Sequence, residues 1–124
     1  MSGHFKDLIA WKKSIGLVKA VYRITEGFPT HEAYGLKSQL RRAAVSIPSN
    51  IAEGQSRFSR VEFRHFLRNA KGSLGEIETQ LIIAHELGYI NPAQLRPHTA
   101  GIEELRRLIS GLINSISRAK TANN

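Results

Sequence analysis

The stretch from Ser59 to Gly88 leaves this chain little choice of fold. Ser59-Arg60-Val61-Glu62 is a capping box, in which hydroxyl and carboxylate each satisfy a backbone N–H that a first helical turn leaves unpaired. Behind it Phe63, Leu67, Ala70, Leu74, Ile77, Leu81 and Ala84 alternate steps of four and three, which holds one apolar stripe on one face. Gly88 supplies the left-handed residue that commonly closes a helix. A rod of this kind, roughly 40 Å long, has to bury its stripe against other helices.

Three further segments provide them. Leu8, Trp11, Ile15, Val18 and Tyr22 predict a first helix over about 7–26. Gly27, Phe28, Pro29 and Thr30 interrupt it, with Thr30 as N-cap of a second helix carrying Leu36, Leu40, Ala43, Ile47 and Ile51 and ending near Gly54. Pro48 lies inside that helix, where its missing N–H predicts a kink or a break into two shorter helices. Asn91-Pro92-Ala93-Gln94 combines an N-cap, a proline at the first helical position and a capping glutamine. The fourth stripe follows as Leu95, His98, Ile102, Leu105, Ile109, Leu112 and Ile116. Short connections force neighbouring helices to run antiparallel. The fold class is therefore all-α, an antiparallel up-down-up-down four-helix bundle in a single domain over 1–120, with 121–124 as a disordered tail.

Composition bounds the chemistry. The 124 residues hold no cysteine, which excludes disulfides, thiolate nucleophiles and cysteine-bound metals. No apolar run approaches the length of a membrane span, and residues 1–6 lack a signal-peptide layout, so a cytoplasmic, non-membrane protein is expected. Glu62-Phe63-Arg64-His65 has the Glu-x-x-His spacing of di-iron bundles, but the second copy such sites require is missing, and Glu62 is already the capping glutamate. The five histidines form no His-x-x-x-His pair, and no phosphate-binding glycine loop or nucleophile elbow occurs. Ser46, Ser49 and Ser73 carry no weight without a base and an oxyanion hole, and His98 reads as a hydrogen-bonded boundary residue. The chain is read as non-catalytic, without metal or cofactor.

Two features point outward. The first helix carries a second apolar stripe, Leu17, Val21, Ile24 and Phe28, about 150° or more around from the first. A four-helix core needs one stripe per helix, so the second predicts a homo-oligomer interface; the alternative is that Phe28 and its neighbours fold back under the first loop. Gly72 and Gly75, poor helix formers, are expected to admit a close-packed neighbouring helix.

The other feature is charge. The net charge is +8, and residues 1–72 hold 13 basic groups against five acidic ones. Arg57, Arg60, Arg64, Arg68 and Lys71 step by three and four, so they project within an arc of about 80°. Such a row could follow several phosphates, and its arginines suit bidentate phosphate contacts. Lys37, Arg41 and Arg42 widen the patch if the two faces converge. Of the nearby aromatics, Phe58 is the one placed to stack on a base, because Phe63 and Phe66 lie on or beside the core stripe. A solvated helix face would instead mix signs at i and i+4.

Phe5-Lys6-Asp7-Leu8 leading to Trp11, then Phe28-Pro29, Glu32, Tyr34-Gly35-Leu36, the unbroken run from Gln39 to Gly54, and Gly72-Ser73-Leu74 with Glu76, resemble the bacterial 23S rRNA intervening-sequence protein family. The resemblance spans about residues 5 to 116, with Gly75 the one departure noted. It implies a four-helix bundle that assembles as a ring-like homopentamer and has no established enzymatic activity. A related branch is similar to the accessory proteins of diversity-generating retroelements, basic pentamers that bind nucleic acid and a reverse transcriptase. The residues and the resemblance together predict a homo-oligomer that binds an RNA or DNA backbone through Lys37, Arg41, Arg42, Arg57, Arg60, Arg64, Arg68 and Lys71. The alternative is an adaptor that docks a protein partner on the same basic face.

Overall fold

The computed structural model describes residue 5 and residues 8–122, with side chains through Ser117. Four helices follow in order: α1 (Ile9–Thr25), α2 (Leu36–Ser56), α3 (Arg60–Glu86) and α4 (Pro92–Ala122). Each packs on its chain neighbours, and α4 returns to α1, which closes an up-down-up-down bundle. The α2–α3 pair shares the most contact and α1–α4 the least.

The helix ends follow their local chemistry. Ser59 Oγ accepts from the Glu62 N–H at 3.3 Å. At the start of α4 the box is complete: the Gln94 N–H donates to Asn91 Oδ1 and the Asn91 N–H to Gln94 Oε1, both at 2.8 Å. Gly88 takes φ 82° just beyond α3. α2 runs unbroken through Pro48, against the expectation that it could split. Beside the proline, Asn50 Nδ2 donates to the Ser46 carbonyl at 2.7 Å and Ser49 Oγ to the Val45 carbonyl at 2.9 Å. α4 likewise continues through Pro97 to Ala122. Residues 123–124 lie outside the described residues.

The first connection departs from expectation. Thr30 opens a 3-10 turn, Thr30–Glu32, and α2 starts only at Leu36. The cap of α2 is a carboxylate: Glu32 Oε1 accepts from the Leu36 N–H at 3.0 Å, while Glu32 Oε2 accepts from the Tyr89 hydroxyl at 2.8 Å. Gly35 makes room for this, because a Cβ there would sit 2.6 Å from Glu32 Oε1.

The stripes of α2, α3 and α4 line one core, with Leu40, Ile47, Leu74, Ile77, Leu105 and Ile109 among its fully buried members. On α1 the expected stripes exchange roles. Leu17 (8% exposed), Val21 (0%) and Phe28 are buried in the core of this same chain, and Ile24 packs against it. The assignment of Leu17, Val21, Ile24 and Phe28 to an oligomer interface is thereby corrected. Phe28 folds under the first loop onto Tyr89, their ring centroids 5.4 Å apart. Ala10, Ser14 and Thr25 complete the buried face. The hydroxyls of Ser14 and Thr25 enter the core because each donates to a carbonyl of its own helix, Trp11 O at 2.6 Å and Val21 O at 2.7 Å. Trp11, Ile15 and Val18 are left half-buried, and Tyr22 exposed.

Close approach also occurs elsewhere than expected. No atom lies within 4 Å of a Cβ built on Gly72 or Gly75, so neither admits a neighbouring helix. Gly54 does: its Cβ would meet Phe66 Cβ at 2.8 Å and Phe63 Cδ1 at 3.0 Å, which lets α2 and α3 converge at their corner.

Candidate nucleic-acid interface

The basic residues separate into two groups, one along the N-terminal half of α3 and one at the start of α2. Along α3, Arg60, Arg64, Arg68 and Lys71 keep the predicted row, on the side that faces α4, where Arg64 Nη1 donates to Ser117 Oγ at 3.3 Å. Arg60 and Arg68 are exposed, and neither they nor Lys71 form an ion pair among the described residues. Arg64 is half-buried, its Nε without a hydrogen-bond acceptor among the described residues.

Arg57 does not belong to this row. It is the C-cap of α2 and precedes the start of α3, so helical periodicity does not extend to it. Its guanidinium pairs with Glu53 at 2.9 Å and Glu62 at 3.8 Å and lies 5.4 Å from the Phe66 ring centroid. Carboxylates on both sides offset its charge.

Lys37, Arg41 and Arg42 lie in the first two turns of α2, where Arg42 lines a groove with Ser73, Glu76 and Gln80 of α3. Arg41 and Arg57 are about 24 Å apart along α2, and Arg41 reaches back to α1 instead. Its Nε donates to Thr25 Oγ1 at 2.9 Å, and its Nη2 donates to the Tyr22 carbonyl at 3.1 Å and to Glu26 Oε1 at 2.8 Å. The guanidinium carbon stands 4.3 Å from the Tyr22 ring centroid. Lys37 joins the same carboxylate at 3.4 Å. Hydrogen bonds from Arg41 and then Lys37 hold the Glu26 carboxyl below its ordinary pKa. Arg41 thus closes the C-terminal end of α1 and ties it to α2, where cationic donors complement the helix dipole. Arg42 is exposed and forms no ion pair among the described residues.

Phe58 stands at the α2–α3 corner, 89% exposed. Its φ of 55° is left-handed, a conformation that costs a bulky residue strain. Val61 is exposed beside it. Sequence periodicity did not single out Tyr34, 99% exposed in the first connection, because a tyrosine before glycine reads as ordinary turn chemistry. It also passed over Lys12, Lys19 and Arg23, an exposed row on the outer face of α1.

The remaining candidates are structural. Ser46 Oγ bonds to the Ala43 carbonyl at 2.6 Å and to Ser73 Oγ at 2.5 Å, fastening α2 to α3. His98 lies 3.0 Å from the Gln94 carbonyl and 3.4 Å from that of Ala20, bridging α4 and α1. Glu53 pairs with Arg57, and Asn50 bonds the Ser46 carbonyl of its own helix. Among the described residues no group of three or more histidines and acids could hold a metal, and no helix is long and apolar enough to cross a membrane.

The model of the family described as 23S rRNA-intervening sequence protein matches residues 6–111. No curated protein matches the sequence. A crystal structure of a protein of unknown function from the S23 ribosomal protein family of Bacteroides thetaiotaomicron is similar, with a TM-score of 0.78 and 22% identity. The similarity covers 85% of this chain and 98% of that one, and at this identity it bears on the fold. The four-helix architecture and a family match over most of the sequence lead to one conclusion: the chain belongs to the 23S rRNA-intervening sequence protein family.

Proposed function

We propose that this protein is a cytoplasmic, non-catalytic homo-oligomer that binds an RNA or DNA backbone through the N-terminal half of α3. The observation that carries this reading is the row Arg60, Arg64, Arg68 and Lys71 without a carboxylate partner among the described residues, beside an exposed, strained Phe58. Exposed guanidinium groups neutralise phosphates, and an exposed ring on a fixed corner offers a stacking surface. Backbone contacts of this kind position a nucleic acid without reading its sequence. The names of the matched family and of the related S23 protein point to ribosomal RNA as a first substrate to try.

Self-association is assigned to the seam between α1 and α2, where Trp11, Ile15, Val18, Val45, Pro48 and Ala52 line an apolar groove. Family resemblance favours five copies, which would bring several arginine rows to one ligand and raise avidity. A protein-docking role is the second reading, favoured by Ile82, Ile83 and Leu87, exposed near the end of α3.

The test is binding of labelled RNA across a salt series. Wild type should lose affinity steeply with salt, and the triple change Arg60→Glu, Arg64→Glu, Arg68→Glu should weaken binding at least tenfold and flatten the salt slope, by about 0.7–0.9 per lost phosphate contact. Equal affinity and slope in both proteins would remove the α3 row from the mechanism.

A further inference from the structure

At the end of the bundle away from Phe58, Tyr22, Tyr34, Lys37, Arg41, Arg42 and Val45 surround a groove of about 480 Å³, within the ~300–1,000 Å³ of small-ligand sites. A second groove of about 420 Å³ shares Tyr34, Ser38 and Arg42 with it, so these residues form a ridge open on both flanks. Tyr34 is 99% exposed, and no hydrogen bond or ring contact among the described residues holds its side chain. Both faces of the ring are open. The Tyr22 ring, by contrast, already carries the Arg41 guanidinium at 4.3 Å.

The charge here is unbalanced. Three cations line the groove; Lys37 and Arg41 share Glu26, and Arg42 forms no ion pair among the described residues. Of the other nearby acids, Glu32 accepts from the Leu36 N–H and the Tyr89 hydroxyl, and Glu76 lines the second groove with Arg42 but forms no ion pair with it. An open aromatic face next to such a guanidinium calls for a ligand that has a flat ring and an anion a few ångströms apart. A nucleotide unit has both.

We infer that the Tyr34–Arg42 groove holds an unpaired nucleotide of a single strand, with the base stacked on Tyr34 and the adjoining phosphate on Arg42. A duplex keeps its bases stacked on each other and cannot present one to the ring, so this groove confers a preference for single-stranded or looped nucleic acid. The inference deepens the proposed function by naming the strand form, and it extends that reading to a second contact on α2: Arg42 lies about 6 Å along α2 from Ser46, which bonds Ser73 two residues past Lys71, the last member of the α3 row.

The test compares a 12-nucleotide oligoadenylate RNA with the same sequence in a duplex, by fluorescence anisotropy on wild type, Tyr34→Ala, Tyr34→Trp and Arg42→Ala. Tyr34 is exposed enough that truncation leaves the fold intact, which circular dichroism verifies. Tyr34→Ala should weaken single-strand binding about 5- to 100-fold, Tyr34→Trp should retain it, and duplex binding should move by less than twofold in both. Arg42→Ala should weaken the single strand and lower its salt slope. Three results overturn the inference: wild-type single-strand affinity in Tyr34→Ala, an equal loss for duplex, or a change in oligomer mass by light scattering. The last would assign the ring to contact between copies. The α3 row is judged separately, since the triple Arg→Glu protein should lose duplex and single strand alike.

Discussion

One carboxylate, Glu32, joins the first loop, the start of α2 and the α3–α4 loop. The Leu36 N–H and then the Tyr89 hydroxyl hold its pKa below the ordinary 4.5, and the same bond raises that of Tyr89 above 10.0. A depressed folded-state pKa stabilises the fold above the unfolded value and loses that contribution as pH falls through the folded one; the raised tyrosine loses its contribution as pH rises past 10. Glu32→Gln should therefore lower the melting temperature at pH 7 and flatten its fall below pH 4.5, and Tyr89→Phe should remove part of the alkaline loss. Thermal scans from pH 3 to 11 check both, and unchanged acid dependence in Glu32→Gln would assign that dependence to Glu26 and other carboxylates. Phe58 presents the opposite case, a residue whose backbone opposes stability. Phe58→Gly relieves the left-handed strain, and urea unfolding should show a gain of about 0.5–1 kcal/mol while RNA affinity drops.

Helix glycines differ in what surrounds them, and composition does not distinguish them. A Cβ on Gly54 would lie 2.8 Å from Phe66 Cβ, an atom fixed close to the α3 backbone, so Gly54→Ala should push the helices apart and cost about 1–3 kcal/mol. Gly72 and Gly75 meet open space, so alanine there should add about 0.5–1 kcal/mol each. Chemical denaturation of the three single mutants separates the cases by sign. Sequence reading had placed the close approach at Gly72 and Gly75, because low helix propensity marks a position as unusual and not which neighbour it faces. It failed likewise for Arg57, whose spacing from Arg60 fits a helix that begins only after it.

Across the whole molecule, the exchange of stripes on α1 decides where copies can meet. Leu17→Glu buries a charge in the core and should unfold the chain; Val18→Glu and Ile15→Glu alter only the half-buried α1–α2 seam. Light scattering should give wild type near five times the 13.8 kDa chain mass and the seam variants one chain mass with native helicity. A monomeric wild type would sink the assembly reading. Positive charge is arranged at the same scale. It collects along the N-terminal half of α3, at the start of α2 and along the outer face of α1, while Glu26, Glu53 and Glu62 engage Lys37, Arg41 and Arg57.

Local chemistry alone determined the four helices, their caps at Ser59 and Asn91 and the core stripes of α2, α3 and α4, because periodicity and capping act within a few residues. The same holds for the cationic row on α3, which depends on one helix's register. Tertiary structure decided which α1 face is buried, which glycine admits a neighbour, and that Arg41 ties α1 to α2 at the far end from Arg64. Those outcomes depend on distances between segments remote in sequence. On α1, two stripes of similar apolar character compete, and the buried one carries the small residues Ala10, Ser14 and Thr25 beside Leu17 and Val21.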